Sequence, residues 1–193
     1  MDAVILKDSI TNRMTDDEFL RFCLENPDLR IERDRNLNII IMPPVTTLSA
    51  YSSGAAFTEL SIWNKRFKKG YTFDSSTGFS LPDRSVLSPD AAWVSREKWS
   101  SLSEDDKDKF VPVCPEFVIE VKSKSDSLDD LMKKMVAWMK NGCHLAWLID
   151  LRNEVIFIYR PGQKEEKIDG LNRVINGEGP VEGFDLDLSL LKI

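Results

Sequence analysis

The stretch EFVIEVK, from Glu116 to Lys122, decides the fold more than any other part of the chain. Its apolar middle predicts a buried β-strand. Alternate side chains of a strand point to opposite faces, so Glu120 and Lys122 share one face, while Ile119 and Val121 share the other. Charged side chains that end a buried strand need a partner or a bound metal ion. This strand is therefore the first place to look for chemistry.

The residues after this strand predict a helix and then a second pair of strands. Ser127 and Asp130 have the spacing of a capping box, and Asn141 with Gly142 provides the stop signal, which predicts a helix from Ser127 to about Asn141. Two apolar runs, residues 144–151 and 155–159, then predict a hairpin. A strand, a helix and a further strand in sequence indicate a β-α-β unit at the centre of the fold.

The first half of the chain predicts a mixture of helices and strands. A capping box at Thr15 and Glu18 opens a helix that Pro27 ends, and basic residues followed by Gly70 predict the end of a second helix and its C-cap. The predicted elements are a helix over 15–26, a hairpin over 30–42, a helix over 48–67, strands over 71–73, 78–81 and 90–94, and a helical turn over 103–109. We therefore expect an α/β or α+β fold, with residues 1–193 forming a single domain.

Asp90 is the best partner for Glu120 in a catalytic site. It follows Pro89 and opens a short apolar strand, so it could stand beside Glu120 and Lys122 on a neighbouring strand. Two carboxylates can hold a divalent cation, and an ammonium can orient a water, which suits the hydrolysis of a phosphodiester. The dipeptide Pro-Asp also occurs at Asp28 and Asp83 and is common in turns, so the pattern alone leaves a structural reading open.

Composition excludes several other classes of protein. The 193 residues carry a net charge of −6, which argues against a general polyanion binder. The single histidine, His144, argues against a Ser-His-Asp triad or a His-rich zinc site. Cys23, Cys114 and Cys143 lack any C-x-x-C spacing and indicate buried thiols in a reducing compartment. No apolar run approaches the ~18 residues that a membrane span needs, so we expect a cytoplasmic protein without membrane contact.

At this point the sequence resembles the PD-(D/E)XK nuclease superfamily and, more narrowly, its family of small stand-alone restriction endonucleases of bacteria. The similarity extends over residues 15–184 and depends on the order of several short motifs. These motifs are residues 30–32 and 42–44 of the first hairpin, Leu60 with Trp63 and Asn64, Pro89 and Asp90, residues 120–123 with Ser125 and Asp126, Lys134 with Trp138 and Gly142, and residues 146–150.

The resemblance implies a restriction-endonuclease-like fold, with a mixed central sheet flanked by helices, and a site that uses Mg²⁺ (or Mn²⁺). By position, Asp90 and Glu120 are the implied metal ligands, with the carbonyl of Val121 as a third oxygen. Lys122 is the implied catalytic lysine. The superfamily often adds a glutamate from the preceding helix, and Glu59 is the only acidic residue there.

The implied substrate is DNA, with Lys133 and Lys134 as candidate phosphate contacts. Glu32 matches a family position without an assigned role, so either Glu59 or Glu32 could complete the site. We also expect a two-fold homodimer, because cutting both strands benefits from two sites, with residues 93–99 and 155–159 as possible contact surfaces.

Two alternatives stay open at this stage. One is a catalytically inactive nuclease fold that serves as a DNA-binding or assembly module. The other is a metal-independent binding domain in which Glu120 and Lys122 form a structural ion pair.

Overall fold

The computed structural model describes residues 3–6 and 14–192. The helices are α1 (Asp16–Glu25), α2 (Thr47–Phe67), α3 (Arg96–Ser100), α4 (Glu104–Lys107) and α5 (Leu128–Lys140), with two 3₁₀ turns at Gly179–Val181 and Leu188–Leu191. The strands are β1 (Val4–Leu6), β2 (Arg30–Arg33), β3 (Ile39–Met42), β4 (Gly70–Asp74), β5 (Phe79–Ser80), β6 (Val86–Leu87), β7 (Ala91–Ser95), β8 (Phe117–Val121), β9 (Leu145–Asp150), β10 (Val155–Tyr159), β11 (Glu166–Asp169), β12 (Val174–Asn176) and β13 (Asp185–Asp187).

A six-stranded mixed sheet forms the centre of the molecule, in the order β11-β10-β9-β8-β7-β4. Strand β8 is parallel to β9 and antiparallel to β7. Every residue of β8 is buried, as the apolar stretch predicts. The parallel pair β8 and β9 is connected through α5, which is the predicted β-α-β unit.

The two long helices cover opposite faces of this sheet. Leu60 and Trp63 of α2 pack in one hydrophobic core with Ile119, whereas Met135 and Trp138 of α5 pack in a second core with neighbouring residues of β8 and β9. Burying both faces explains why β8 is apolar along nearly its whole length. The predicted α+β class, with a mixed central sheet flanked by helices, is confirmed.

A second sheet has the strand order β1-β3-β2-β6-β5. Its hairpin β2–β3 pairs Arg30 with Met42 and Glu32 with Ile40, close to the predicted hairpin over 30–42. Strands β1 and β6 were not predicted. Their lengths of 3 and 2 residues are too short for a periodic signal, since alternation needs at least four residues.

The end of α2 differs from the prediction. Lys68, with a φ of 54°, is the left-handed C-cap, and Gly70 instead opens β4. Glycine is required there for another reason, because a Cβ on Gly70 would lie 2.2 Å from the carbonyl oxygen of Val94 and 2.7 Å from the ring of Trp93. The glycine therefore permits a close approach of two strands, whereas the helix ends on a lysine.

Two further expectations are corrected by burial. Trp93 is only 3% exposed and residues 155–159 are buried throughout, so these parts of the two predicted dimer contact surfaces belong to the core. Residues 95–99 of the first predicted surface are half-buried or exposed. Cys114 and Cys143 are buried free thiols as predicted, but Cys23 is half-buried. Within the described residues, no helix combines the length and apolar character needed to span a membrane.

Candidate active site

A cavity of about 80 Å³ opens where the carboxyl end of β8 meets the start of β7. Five segments contribute its ionisable lining residues: β2, the segment before β7, the end of β8, the loop that follows β8, and α5. The residues that line it are Arg30, Glu32, Met42, Pro43, Pro44, Val45, Ser49, Ser88, Asp90, Glu120, Val121, Ser123, Ser125, Asp126, Leu131 and Lys134.

Asp90 stands one residue before β7 and faces the end of β8. The antiparallel register pairs Ala91 with Ile119, so the next position places Asp90 opposite Glu120. Oδ2 of Asp90 accepts a hydrogen bond of 2.7 Å from the backbone N–H of Val121. The two predicted metal ligands are therefore brought to one cavity by strand pairing.

Glu120 is nearly inaccessible and is held by α5. Its Oε1 lies 2.9 Å from the ammonium of Lys134 and accepts a hydrogen bond of 3.1 Å from Nε1 of Trp138. Lys134 and Trp138 are four residues apart, so they lie on the same face of α5, the face that packs on the sheet. The resemblance gave Trp138 no role at the site, but its indole orients the Glu120 carboxylate.

Glu32 completes the buried ionic cluster. Its Oε1 lies 2.9 Å from Nζ of Lys134 and accepts a hydrogen bond of 3.0 Å from the backbone N–H of Ser88. Lys134 also donates to the carbonyl oxygen of Ser88 at 2.9 Å. The side chains of Glu32 and Lys134 are only 9% and 14% exposed, so solvent screens this pair little.

Burial and mutual repulsion shift the acidity of this cluster. Burial raises the pKa of Asp90, against the hydrogen bond from Val121 and the charge of Lys134, which lower it. Burial, reinforced by the charges of Asp90 and Glu32, raises the pKa of Glu120 to about 7, although Lys134 opposes this rise. Burial works to lower the pKa of Lys134, but the carboxylates of Glu120 and Glu32 outweigh it and raise that pKa. Lys134 therefore stays charged at neutral pH.

The donor set suits an open site for a hard cation. Across the described residues, no three side chains of His, Cys, Asp or Glu come together as a closed metal shell. The cavity instead offers the carboxylates of Asp90 and Glu120 beside the backbone of Val121, which are oxygen donors. Mg²⁺ prefers oxygen ligands and keeps several waters, so two carboxylates with water and substrate oxygens match its needs.

Lys122 follows β8 but does not line this cavity. Its ammonium donates a hydrogen bond of 3.1 Å to the carbonyl oxygen of Ser123, the next residue in the chain. One alternative required a structural ion pair between Glu120 and Lys122. In the structure Glu120 instead pairs with Lys134.

Glu59 lies away from the cavity. It is half-buried on α2 and lines a separate open depression with Tyr51, Thr58 and Leu190. Of the two glutamates that could complete the site, the structure brings Glu32 to Glu120 through Lys134 and leaves Glu59 elsewhere. The expectation that the helix before the site supplies the extra glutamate is corrected accordingly.

The two neighbouring lysines of α5 have different environments. The side chain of Lys133 is 76% exposed and pairs with Asp130 at 2.7 Å, as a surface lysine does. Lys134 is buried between Glu32 and Glu120, so its ammonium is not available to a phosphate. Of the two predicted phosphate contacts, only Lys133 therefore lies on the surface.

The sequence indicated no function for two residues that the structure places at or beside the site, Arg30 and Trp138, and it left Glu32 as one of two candidates to complete the site. A signal for Arg30 existed, because Arg30 and Glu32 are two apart on one strand and so share a face. The four-residue spacing of Lys134 and Trp138 was also readable. What the sequence lacked was any indication that these faces meet.

The fold and the paired carboxylates define a nuclease-like class of protein. Residues 16–189 match the family model described as "Uma2: Putative restriction endonuclease". The chain belongs to this Uma2 family, and the expected family resemblance is confirmed.

A solved crystal structure from Anabaena variabilis, described as "a putative nuclease belonging to DUF820", is similar to this chain with a TM-score of 0.74. The sequence identity is 21%, and the match covers 92% of this chain and 97% of that chain. At this identity the likeness establishes a shared fold. None of the curated proteins compared with the chain matches it.

Proposed function

We propose that this chain is a Mg²⁺- or Mn²⁺-dependent endonuclease that hydrolyses DNA phosphodiester bonds at Asp90, Glu120 and Lys122. The observation that carries the proposal is the meeting of Asp90 and Glu120 in one cavity, fixed by the hydrogen bond from Val121 to Asp90. Membership in the Uma2 family supports nuclease chemistry as the class of reaction.

In this proposal Asp90 and Glu120 would hold the metal ion, with the carbonyl of Val121 as a further oxygen. Such an ion would supply a Lewis acid for the phosphate and would lower the pKa of a water molecule. One oxygen of each carboxylate is already hydrogen-bonded within the protein, at Val121 for Asp90 and at Lys134 and Trp138 for Glu120. The protein therefore fixes both carboxylates and leaves each a second oxygen. With so few ligands, we expect weak metal binding until phosphate oxygens arrive.

Lys122 has the role of orienting the attacking water and screening the negative charge that develops on the phosphate. Its ammonium donates to the carbonyl oxygen of Ser123, a residue that lines the cavity. We propose that it leaves this carbonyl and turns to the phosphate when DNA binds. Exchanging a single hydrogen bond costs little.

The DNA backbone is contacted by Arg30 and Lys133 in this proposal. Arg30 lines the cavity and lowers the pKa of Asp90 by its charge, so it is close to the reacting centre. Among the described residues it forms no ion pair within 4.0 Å, which leaves its guanidinium available to a phosphate. Arginine suits this task because its planar fork matches phosphate oxygens.

The test uses two aspartates that both follow a proline. Asp90→Asn keeps a hydrogen-bond acceptor for Val121 but loses the carboxylate charge, whereas Asp83→Asn alters a turn in which Asp83 accepts from Ser85. Plasmid DNA is incubated with each protein and Mg²⁺ or Mn²⁺. We expect the parent and Asp83→Asn to cleave, and Asp90→Asn to lose about 10²-fold or more of the rate.

Other outcomes select the alternatives. Salt-dependent DNA binding without cleavage by the parent would favour the inactive DNA-binding or assembly module. Neither binding nor cleavage would favour a metal-independent domain of another function. Equal cleavage by the parent and Asp90→Asn would remove Asp90 from the mechanism.

We also propose that the protein is a single domain over residues 1–193 that acts in the cytoplasm as a homodimer. A closed two-fold dimer is the commonest oligomer and would place two sites on one duplex. Sedimentation velocity at micromolar concentration is the measurement, and a monomer at that concentration contradicts the dimer.

A further inference from the structure

We infer that Lys134 is the resident counter-ion of the site: its ammonium offsets part of the negative charge of the buried carboxylates of Glu32 and Glu120 and positions the segment that carries Asp90. The inference rests on the proposed function, because it assumes that Asp90 and Glu120 are the metal ligands. It assigns Lys134 as a positioning residue, which acts through the carboxylates and touches neither substrate nor metal.

The Lys134 ammonium makes three polar contacts inside the protein. It donates hydrogen bonds of 2.9 Å to Oε1 of Glu32 and to the carbonyl oxygen of Ser88, and it lies 2.9 Å from Oε1 of Glu120 in an ion pair. The side chain of Lys134 is only 14% exposed. The ammonium therefore faces protein oxygens, unlike that of a lysine that binds substrate.

The same ammonium joins both ligand-bearing segments. Ser88 is two residues before Asp90, and its carbonyl accepts from Lys134 while its N–H donates to Glu32. The backbone N–H and C=O of Ser88 therefore both bond to the ion pair of Glu32 and Lys134. Because that ion pair also holds Glu120, the placement of Asp90 relative to Glu120 depends on Lys134.

The charges explain why a permanent cation is needed here. Glu32 and Glu120 are buried with side-chain exposures of 9% and 5%, and Asp90 stands close enough to raise the pKa of Glu120. Buried carboxylates repel one another strongly where water cannot screen them. Lys134 offsets part of this negative charge while the metal is absent. Without Lys134, a divalent cation would have to offset more of it.

The experiment compares two adjacent lysines on α5. Lys134→Met removes the buried ammonium and keeps the length of the side chain, whereas Lys133→Met removes an exposed ammonium that pairs with Asp130 and serves as the matched control. Each full-length protein is unfolded thermally in EDTA and in Mn²⁺. Mn²⁺ binding is measured by calorimetry, and cleavage of plasmid DNA is measured separately.

We expect Lys134→Met to have a lower unfolding midpoint in EDTA and to regain much of it in Mn²⁺. Its Mn²⁺ affinity should rise about 10-fold, because a like charge leaves the site and tighter binding stabilises the folded state. Its kcat should fall about 10²-fold with little change in KM, the usual effect of a misplaced catalytic group. Lys133→Met should match the parent in its unfolding midpoints and its Mn²⁺ affinity, and it serves as the control for these two measurements only, since Lys133 is a proposed DNA contact.

A purely structural lysine gives a different result. If Lys134→Met loses the same stability with and without Mn²⁺, and its Mn²⁺ affinity is unchanged, the inference is overturned. Folding of Lys134→Met only in the presence of Mn²⁺ supports it. If Lys134→Met folds under neither condition, the Glu32→Gln variant is measured instead. In Glu32→Gln the ammonium of Lys134 pairs with Glu120 alone, so the Mn²⁺ affinity should fall about 10-fold. An unchanged affinity overturns the inference.

Measurements on the parent protein distinguish a failure of the proposed function from a failure of the role of Lys134. A parent that neither binds Mn²⁺ nor cleaves DNA overturns the proposed function and this inference with it. A parent that does both, beside a Lys134→Met variant that behaves like Lys133→Met, overturns the role of Lys134 alone.

Discussion

Oδ2 of Asp90 lies 2.7 Å from the backbone nitrogen of Val121 and accepts its hydrogen bond. This contact joins two segments 31 residues apart and fixes the first carboxylate beside the residue that follows Glu120. It satisfies a backbone donor at the end of β8, where the strand ladder stops. The carboxylate that is proposed to bind metal therefore also closes the junction of β7 and β8.

Replacing Lys122 by Met should abolish most cleavage and leave stability nearly unchanged. Among the described residues the side chain of Lys122 forms one hydrogen bond, to Ser123, and the buried Glu120 has Lys134 as its partner, so no buried charge is left unpaired. We expect cleavage to fall about 10²-fold or more and the free energy of unfolding to change by less than about 0.5 kcal/mol. Plasmid nicking and urea denaturation are the measurements.

The exposed Lys124 provides the control for Lys122, since Lys124→Met removes a charge from the same loop. Lys124→Met should cleave at nearly the parent rate. A loss of about 3–5 kcal/mol in Lys122→Met, with cleavage unchanged, would instead make Lys122 a structural partner of a buried charge.

Metal affinity and cleavage should rise with pH through neutrality. Burial, with the charges of Asp90 and Glu32, raises the pKa of Glu120 to about 7, and only the ionised carboxylate binds a cation. Below this value Glu120 is protonated in the folded protein, so Mn²⁺ must displace a proton. Calorimetry of Mn²⁺ binding between pH 5.5 and 8.5 (about one and a half units either side of the shifted value) should show this step.

The raised pKa of Glu120 also predicts how the stability of the metal-free protein changes with pH. A carboxyl whose pKa is raised on folding binds more protons in the folded state, so the stability that it contributes is lost as pH rises from the unfolded value of 4.5 to about 7. Glu120→Gln should remove this part of the pH dependence. A Glu120→Gln profile identical to that of the parent would show that another group titrates.

Replacing Trp138 by Phe should loosen the Glu120 carboxylate. The change removes the Nε1 donor, which lies 3.1 Å from Oε1 of Glu120, and leaves a ring in the fully buried position. Loss of a hydrogen bond to a charged group, together with the smaller ring, should cost about 2–4 kcal/mol of stability.

The same variant tests the site through its acidity. With one donor fewer, the ionised form of Glu120 is less stabilised, so the pH step in Mn²⁺ binding should move upward. A step that stays at the parent value would mean that the hydrogen bond from Trp138 does not contribute to the ionisation of Glu120.

Gly70→Ala should be strongly destabilising, because a Cβ at this position would lie 2.2 Å from the carbonyl oxygen of Val94. Backbone atoms cannot yield cheaply, so we expect a loss of about 3 kcal/mol or more. Gly54 is the control, since it is exposed on α2 with no atom within 4 Å of an added Cβ, and Gly54→Ala should stabilise by about 0.5–1 kcal/mol. Thermal unfolding of both variants is the measurement, and similar midpoints would contradict the crowding.

The sequence by itself determined the main elements and made Asp90 and Glu120 candidates for one site. The capping residues Thr15 and Ser127 fixed the starts of two helices, and the apolar stretch before Glu120 identified the central strand. Such signals are local: a helix start or a buried strand depends on residues within a few positions. Asp90 was readable as a candidate for the same reason, since it opens an apolar strand, but its position opposite Glu120 follows from the pairing of β7 with β8.

Only the tertiary structure decided which charges meet. Lys134 and Glu32 are 102 residues apart, and their contact depends on how α5 and a strand of the second sheet approach the same end of β8. The sequence could not show this, because a lysine on a helix has the same local pattern whether its face is buried or exposed. The same limit applied to Lys122, which turns to Ser123, and to Glu59, which α2 carries away from the cavity. Local patterns set the faces of these elements, and long-range packing selects the partners of each face.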